Sequence, residues 1–202
     1  MNEKNIEIYY DHYKNTFEVQ KEYIKKRNLY YFISLILLTV VSFQITNPDQ
    51  TIQISNELIK QKIGEITISY AFINSLLLLA FLSITMMYFQ INLIIERYYK
   101  YIQKMEESIS EYLTPFKIDR EGGAYLNQYP WISTLVHYIY TIVYPIIIII
   151  VSILKWKSEI NLYKENLCNG HFIFDIIIII LIIILTVLYL IKLYFNDFKK
   201  KT

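Results

Sequence analysis

One cysteine, four glycines and three histidines are all this 202-residue chain holds of the residue types that most often build disulfide frameworks, ligand-cradling loops and metal centres. The lone Cys168 excludes an internal disulfide and leaves a bystander thiol or an intermolecular bridge. His12, His137 and His171 are far apart, and no HExxH, GxSxG, Gly-rich phosphate loop or Cys/His cluster accompanies them. No catalytic residue, metal or cofactor is therefore expected, and the chain does not read as an enzyme. Net charge is only +2, too weak a field to argue nucleic-acid binding from charge alone. Also missing is any polar stretch long enough for a separate soluble domain of ordinary size.

What the chain has is four apolar runs, at 29–46, 67–95, 132–154 and 172–195, each near or above the roughly 17 to 25 residues that cross a hydrocarbon core. They predict an all-α integral membrane protein, a single membrane domain over 1–202 with four transmembrane helices. Fifteen of the twenty Lys and Arg residues fall before span 1, between spans 2 and 3, or at and beyond the end of span 4, counting Lys192 in its last turn. The other five, Lys60, Lys62, Lys155, Lys157 and Lys164, fall in the two remaining connections, read as loops. That bias places both termini in the cytoplasm. The first apolar run follows a charged segment and precedes no small-residue cleavage site, so an uncleaved anchor is expected.

Spans 1 and 2 carry cytoplasmic helical extensions. Ile6, Tyr10, Tyr13, Phe17, Gln20 and Ile24 repeat at spacings of four and three, the seam of a helix packed lengthwise on another, and no Gly or Pro interrupts 1–47. Segment 1–28 thus reads as a helix continuous with span 1. Tyr98, Ile102, Met105, Ile109 and Tyr112 repeat the rhythm after span 2 until Thr114-Pro115 disfavours further helix, so 96–131 reads as an extension and a turn. Paired or multiplied hairpins of these helices would form a stalk. Gly122 and Gly123 allow a tight return or a close ligand approach to backbone N–H groups, while Tyr129, Pro130 and Trp131 suit an interfacial anchor and helix start.

Span 2 is the polar one. Asn74, Thr85 and Asn92 lie nearly whole turns apart, with Tyr70, Leu78, Phe81 and Tyr88 on the same face. This stripe could line a pore restricted at Leu78 and Phe81, or serve interhelical hydrogen bonding. Pro145 in span 3 is a hinge or a static bend. Span 4 reads as a lipid-facing wall, and Asp175 at its outer end either attracts cations to an entrance or, the favoured reading, complements the helix dipole from a first turn. In the cytoplasmic parts, Tyr10, Tyr13, Lys14 and Lys21, and Arg97 with Lys100, interleave aromatics and cations as single-stranded nucleic-acid sites do, although the seam and the positive-inside bias require several of them anyway.

The stretch 8–18 leading through Lys25-Lys26-Arg27-Asn28 into span 1, together with 120–126 (Arg120-Glu121-Gly122-Gly123-Ala124-Tyr125-Leu126) and Tyr129-Pro130-Trp131, resembles small multi-span effectors of bacterial anti-phage operons, in particular the channel-forming effector of Hailong systems. Kiwa-type four-span sensors are a competing resemblance. The Hailong resemblance implies a homo-oligomeric channel, a tetramer by analogy, that is held shut by a nucleic-acid product of a partner nucleotidyltransferase and opens to depolarise the infected cell. On this expectation Asn74, Thr85 and Asn92 line the path. The ligand or partner meets Tyr10, Tyr13, Lys14, Lys21, Arg97, Lys100, Arg120, Gly122 and Gly123. The alternative is a non-conducting membrane adaptor that oligomerises and recruits a cytoplasmic partner.

Overall fold

The computed structural model describes residues 3–63, 69–113, 118, 131–164 and 166–198, and it is all-α. Helix α1 (Glu3–Thr46) runs 44 residues without a break and stops where Pro48 disfavours helix in the residue before it. Helix α2 (Pro48–Ile63) follows at once, with proline at its first position, where no N–H is needed, and Asp49 in its first turn to complement the dipole. The connection expected as a loop is therefore helical over most of its length. Helix α3 (Tyr70–Tyr112) carries span 2 straight into its charged extension and ends just before Thr114-Pro115.

Helix α4 (Trp131–Tyr138) passes through a π turn (Ile139–Val143) into α5 (Tyr144–Leu162). The π turn has a covalent cause. Pro145 has no N–H to return to the carbonyl of Thr141, and its ring crowds that carbonyl, so a wider turn there relieves the clash. Helix α6 (Gly170–Phe198) completes the chain. Four segments, Asn5–Thr46, Tyr70–Tyr112, Trp131–Leu162 and Gly170–Leu193, are long and apolar enough to cross a membrane. The four apolar runs of the sequence lie within them, apart from residues 67–69, of which 67 and 68 are outside the described residues, and residues 194 and 195 at the end of the fourth run.

The chain divides into two compact units, Met1–Leu29 with Gln90–Thr141, and Tyr30–Phe89 with Ile142–Thr202. In the first, the seams of α1 and α3 meet, although Tyr10 and Tyr112 of those expected seams are exposed. Tyr13 and Phe17 are buried against Ile102, Met105 and Ile109, with Tyr9, Leu113 and Ile118 at the margin. The Tyr13 hydroxyl donates to Glu106 Oε1 at 2.9 Å, His12 Nε2 and the Tyr101 hydroxyl are 3.0 Å apart, and the rings of Tyr23 and Tyr98 lie 5.5 Å apart. Each apolar side chain fully buried from water contributes roughly 1.5–3 kcal/mol, which makes this small core enough to pair the two helices.

The second unit is a bundle of the apolar parts of α1, α3, α5 and α6. Leu78, Phe81, Ile148, Ile178, Ile179 and Ile182 fill its middle. Beside them is an aromatic layer in which Tyr144 meets Tyr31 at 4.8 Å and Tyr88 at 5.3 Å edge-on, while Phe89 stacks on Tyr189 at 4.2 Å. The Tyr144 hydroxyl donates to Ser34 Oγ, tying α5 to α1. Much of the outer surface is apolar, including Phe32, Ile36, Leu76, Ile150, Ile177 and Leu188, as lipid contact or subunit contact requires.

Ile102 is the side chain most enclosed in the first unit. Ile102→Ala is expected to weaken the helix pair by about 2–5 kcal/mol. Hydrogen exchange on detergent-solubilised protein checks it: backbone protection should fall in 5–29 and 96–112 and persist in 174–190.

Candidate functional site

Five polar side chains, contributed by α1, α3, α5 and α6, converge at the end of the bundle where α1 finishes and α3 begins. Gln44 sits in the last turn of α1, Asn74 in the second turn of α3, Lys155 and Glu159 one turn apart near the end of α5, and Asp175 in the second turn of α6. All are buried, with Asn74 and Asp175 completely enclosed and Lys155 2% exposed.

The hydrogen bonds form a closed pattern around Asn74. The Lys155 ammonium directs its donors to Glu159 Oε1 at 2.8 Å, Asn74 Oδ1 at 2.9 Å and Gln44 Oε1 at 3.1 Å. An ammonium has three hydrogens, so all three have partners. The Asn74 amide nitrogen donates to Asp175 Oδ2 at 2.7 Å and Glu159 Oε1 at 3.1 Å. Its carbonyl toward the cation and its NH2 toward two carboxylates is the only amide orientation these neighbours allow. Glu159 Oε2 and Asp175 Oδ1, both buried, have no hydrogen-bond partner. The Ser75 hydroxyl approaches Asp175 without meeting hydrogen-bond geometry and lies 3.4 Å from His171 Nδ1.

One cation thus faces two carboxylates. The excess negative charge is felt just beyond α5, where the Tyr163 phenol is pushed up to about 12, first by burial and then by Glu159 and Asp175. A cavity of about 350 Å³ reaches the cluster, lined by Gln44, Asp49, Tyr70, Lys155, Lys157 and Glu159 among others. Among the described residues, no group of three or more His, Cys, Asp and Glu is arranged to hold a metal ion.

The sequence-derived residues fare differently from one another. Asn74, Leu78, Phe81 and Thr85 do share one face of α3, and all four are buried at 1% exposure or less in the second unit. Asn92, in the first unit, is also buried. Any path lined by Asn74 and Thr85 would have to run through the interior of one subunit, and Leu78 and Phe81 are core side chains of that interior. Thr85 Oγ1 and Asn92 Nδ2 have no hydrogen-bond partner, so only Asn74 joins a network. Asp175 is not a first-turn dipole complement; α6 begins earlier, at Gly170, and the carboxylate turns inward to Asn74.

On the first unit, Tyr10 is exposed with Lys14 over its ring at 4.9 Å, and Lys14 pairs with Asp11 at 2.7 Å. Lys21 pairs with Glu18 at 2.7 Å. Arg97 is exposed and Lys100 half-buried. Tyr13 is buried in the helix pair, where no ligand reaches it in this arrangement. Arg120, Gly122 and Gly123 lie outside the described residues.

Lys155, Glu159 and Gln44 are the residues that sequence reading missed. Lys155 was counted among loop cations, yet it belongs to a helix that continues through Leu162. A signal was present: Ile148, Val151, Ser152, Lys155 and Glu159 follow helical spacing, so the ion pair lies on the buried face of the apolar run before it.

Removing one partner of a buried ion pair leaves the other uncompensated, at a cost of about 3–5 kcal/mol. Lys155→Met should therefore lower thermal stability in detergent sharply, and adding Glu159→Gln should restore at least half of the loss. Additive losses in the double variant would show that the two residues are not coupled. Comparison with protein-family models, curated proteins and solved structures finds no match to this chain.

Proposed function

We propose that this four-span membrane protein is an ion-channel effector. The buried Lys155–Glu159–Asp175 cluster carries this reading, because ionisable groups within a membrane bundle are costly and occur chiefly where ions or protons are handled. Both termini are cytoplasmic on this proposal, and the α1–α3 helix pair lies on the cytoplasmic side of a bacterial inner membrane. Subunits associate through the exposed apolar faces into a homo-oligomer, a tetramer by analogy with the resembling family. The same resemblance supplies the setting: anti-phage defence, a nucleic-acid or nucleotide signal from a partner nucleotidyltransferase, and depolarisation of the infected cell. Leu78, Phe81, Tyr88 and Tyr144 are packed in the bundle, which on this proposal corresponds to a shut channel.

A second reading draws on that same packing. A bundle whose polar stripe is consumed internally also suits a non-conducting adaptor that anchors and oligomerises while its cytoplasmic helix pair recruits a partner.

Planar-bilayer recording of the purified oligomer separates the two, with short single-stranded DNA present or absent on the side of the helix pair. The channel predicts discrete currents that DNA suppresses. It further predicts that Glu159→Gln changes unitary conductance or open probability at least several-fold while membrane insertion is retained. A silent bilayer in both DNA conditions, with folding verified, assigns the chain to the adaptor class.

A further inference from the structure

We infer that Glu159 and Asp175, bridged by Asn74, form a binding site for one monovalent cation, a proton or an alkali ion, reached through the cavity between α1, α2, α3 and α5. The inference goes beyond conduction, since a site of this kind can regulate or stabilise a protein that passes no current.

Three independent observations converge on it. The first is charge: in the cluster one ammonium faces two carboxylates, one positive charge short of neutrality, in a place where burial makes an uncompensated charge expensive. The second is geometry. Lys155 has spent its three hydrogens and Asn74 both of its own, yet Glu159 Oε2 and Asp175 Oδ1 are buried with no donor among the described residues. Those two oxygens are left to an added hydrogen or a coordinated ion, since Lys155 and Asn74 have no further hydrogen to give and the nearby Ser75 hydroxyl does not meet hydrogen-bond geometry to Asp175. The third is access. The cavity of about 350 Å³ touches Lys155 and Glu159, so a small ion has a route from the bundle end.

The charged and titratable groups around the site come from each neighbouring element. Helix α1 supplies only the neutral Gln44, and α2 supplies Asp49 at the cavity wall. Helix α3 supplies Tyr70, α5 supplies Lys155 and Lys157 with Tyr163 just beyond it, and α6 supplies His171 through Ser75. Asp49 favours cation entry, Lys157 opposes it, and Lys155 limits the site to a single added charge. A divalent ion would overshoot neutrality, and too few carboxylates converge here to hold one.

The test uses the full-length protein in nanodiscs at fixed pH and ionic strength, comparing sodium, potassium and choline chlorides. Thermal unfolding is followed together with the infrared carbonyl band of protonated carboxylic acids, assigned by side-chain 13C labelling of Asp and of Glu. An alkali-ion site gives a saturable rise in melting temperature over choline, about 5–10 °C at a hundredfold excess over Kd. The carboxylic-acid band then appears in choline and disappears in sodium or potassium. A proton site gives that band in all three salts, shifted by the label and lost on deprotonation at higher pH, with no preference among salts. Asp175→Asn or Glu159→Gln abolishes the effect in either case, whereas Ser83→Ala, on an exposed part of α3, leaves it intact. Absence of both the band and the salt preference in the unmutated protein overturns the inference whether or not the variants fold. Because the readouts are equilibrium ones, a silent bilayer leaves the cation site standing, and a failed cation site leaves conduction to be judged by current alone.

Discussion

Asn74 is the contact on which the second unit depends. A single amide uses its carbonyl for Lys155 and both hydrogens for Glu159 and Asp175, joining α3 to α5 and α6, while Lys155 extends the network to α1 through Gln44. In a membrane the apolar surfaces of helices gain little by meeting each other, since lipid tails are as apolar as leucine. Isoleucine-rich helices such as α5 and α6 could then pack in many rotations and registers. A charged network with fixed partners on four helices removes that freedom, because any rotation that separates Lys155 from Asn74 or Asn74 from Asp175 leaves a buried charge without its partner.

The first unit is held by different physics. Its core of Tyr13, Phe17, Ile102, Met105 and Ile109 has charged side chains on its outer faces, and its pairing follows from a heptad-like seam and burial from water. Each of α1 and α3 is a single helix that supplies residues to both units, with apolar spacing suited to water in one part and polar spacing suited to lipid in the other. Neither helix has a glycine or proline in its interior, and this continuity is what the lack of breakers was expected to produce.

For function, the proposed channel and the proposed cation site share one requirement: an ionisable centre in a low-dielectric bundle whose charge can change. The aromatic layer of Tyr31, Tyr88 and Tyr144 with Ser34 packs the bundle on the far side of the apolar middle from that centre. A proton or alkali ion entering from the cavity would therefore alter the helix-to-helix ties before meeting any path across the bundle. Such a centre is suited to setting how tightly the four helices hold together.

From sequence alone came the four apolar helices, the continuity of α1 and α3, the stop before Pro115 and the seam that pairs the extensions, because each depends on local backbone chemistry or on residues at fixed helical spacing. The stripe Asn74, Leu78, Phe81, Thr85 was legible as one face for the same reason. What that face meets was not legible, since periodicity reports angle around an axis and says nothing of the neighbour. Only the tertiary structure decided that Lys155, apparently a loop cation, ends in the bundle, and that Asp175 turns from a helix end to an amide 101 residues away. The sequence settles which side chains share a face; hydrogen bonding to buried charges across four separate helices settles which faces meet.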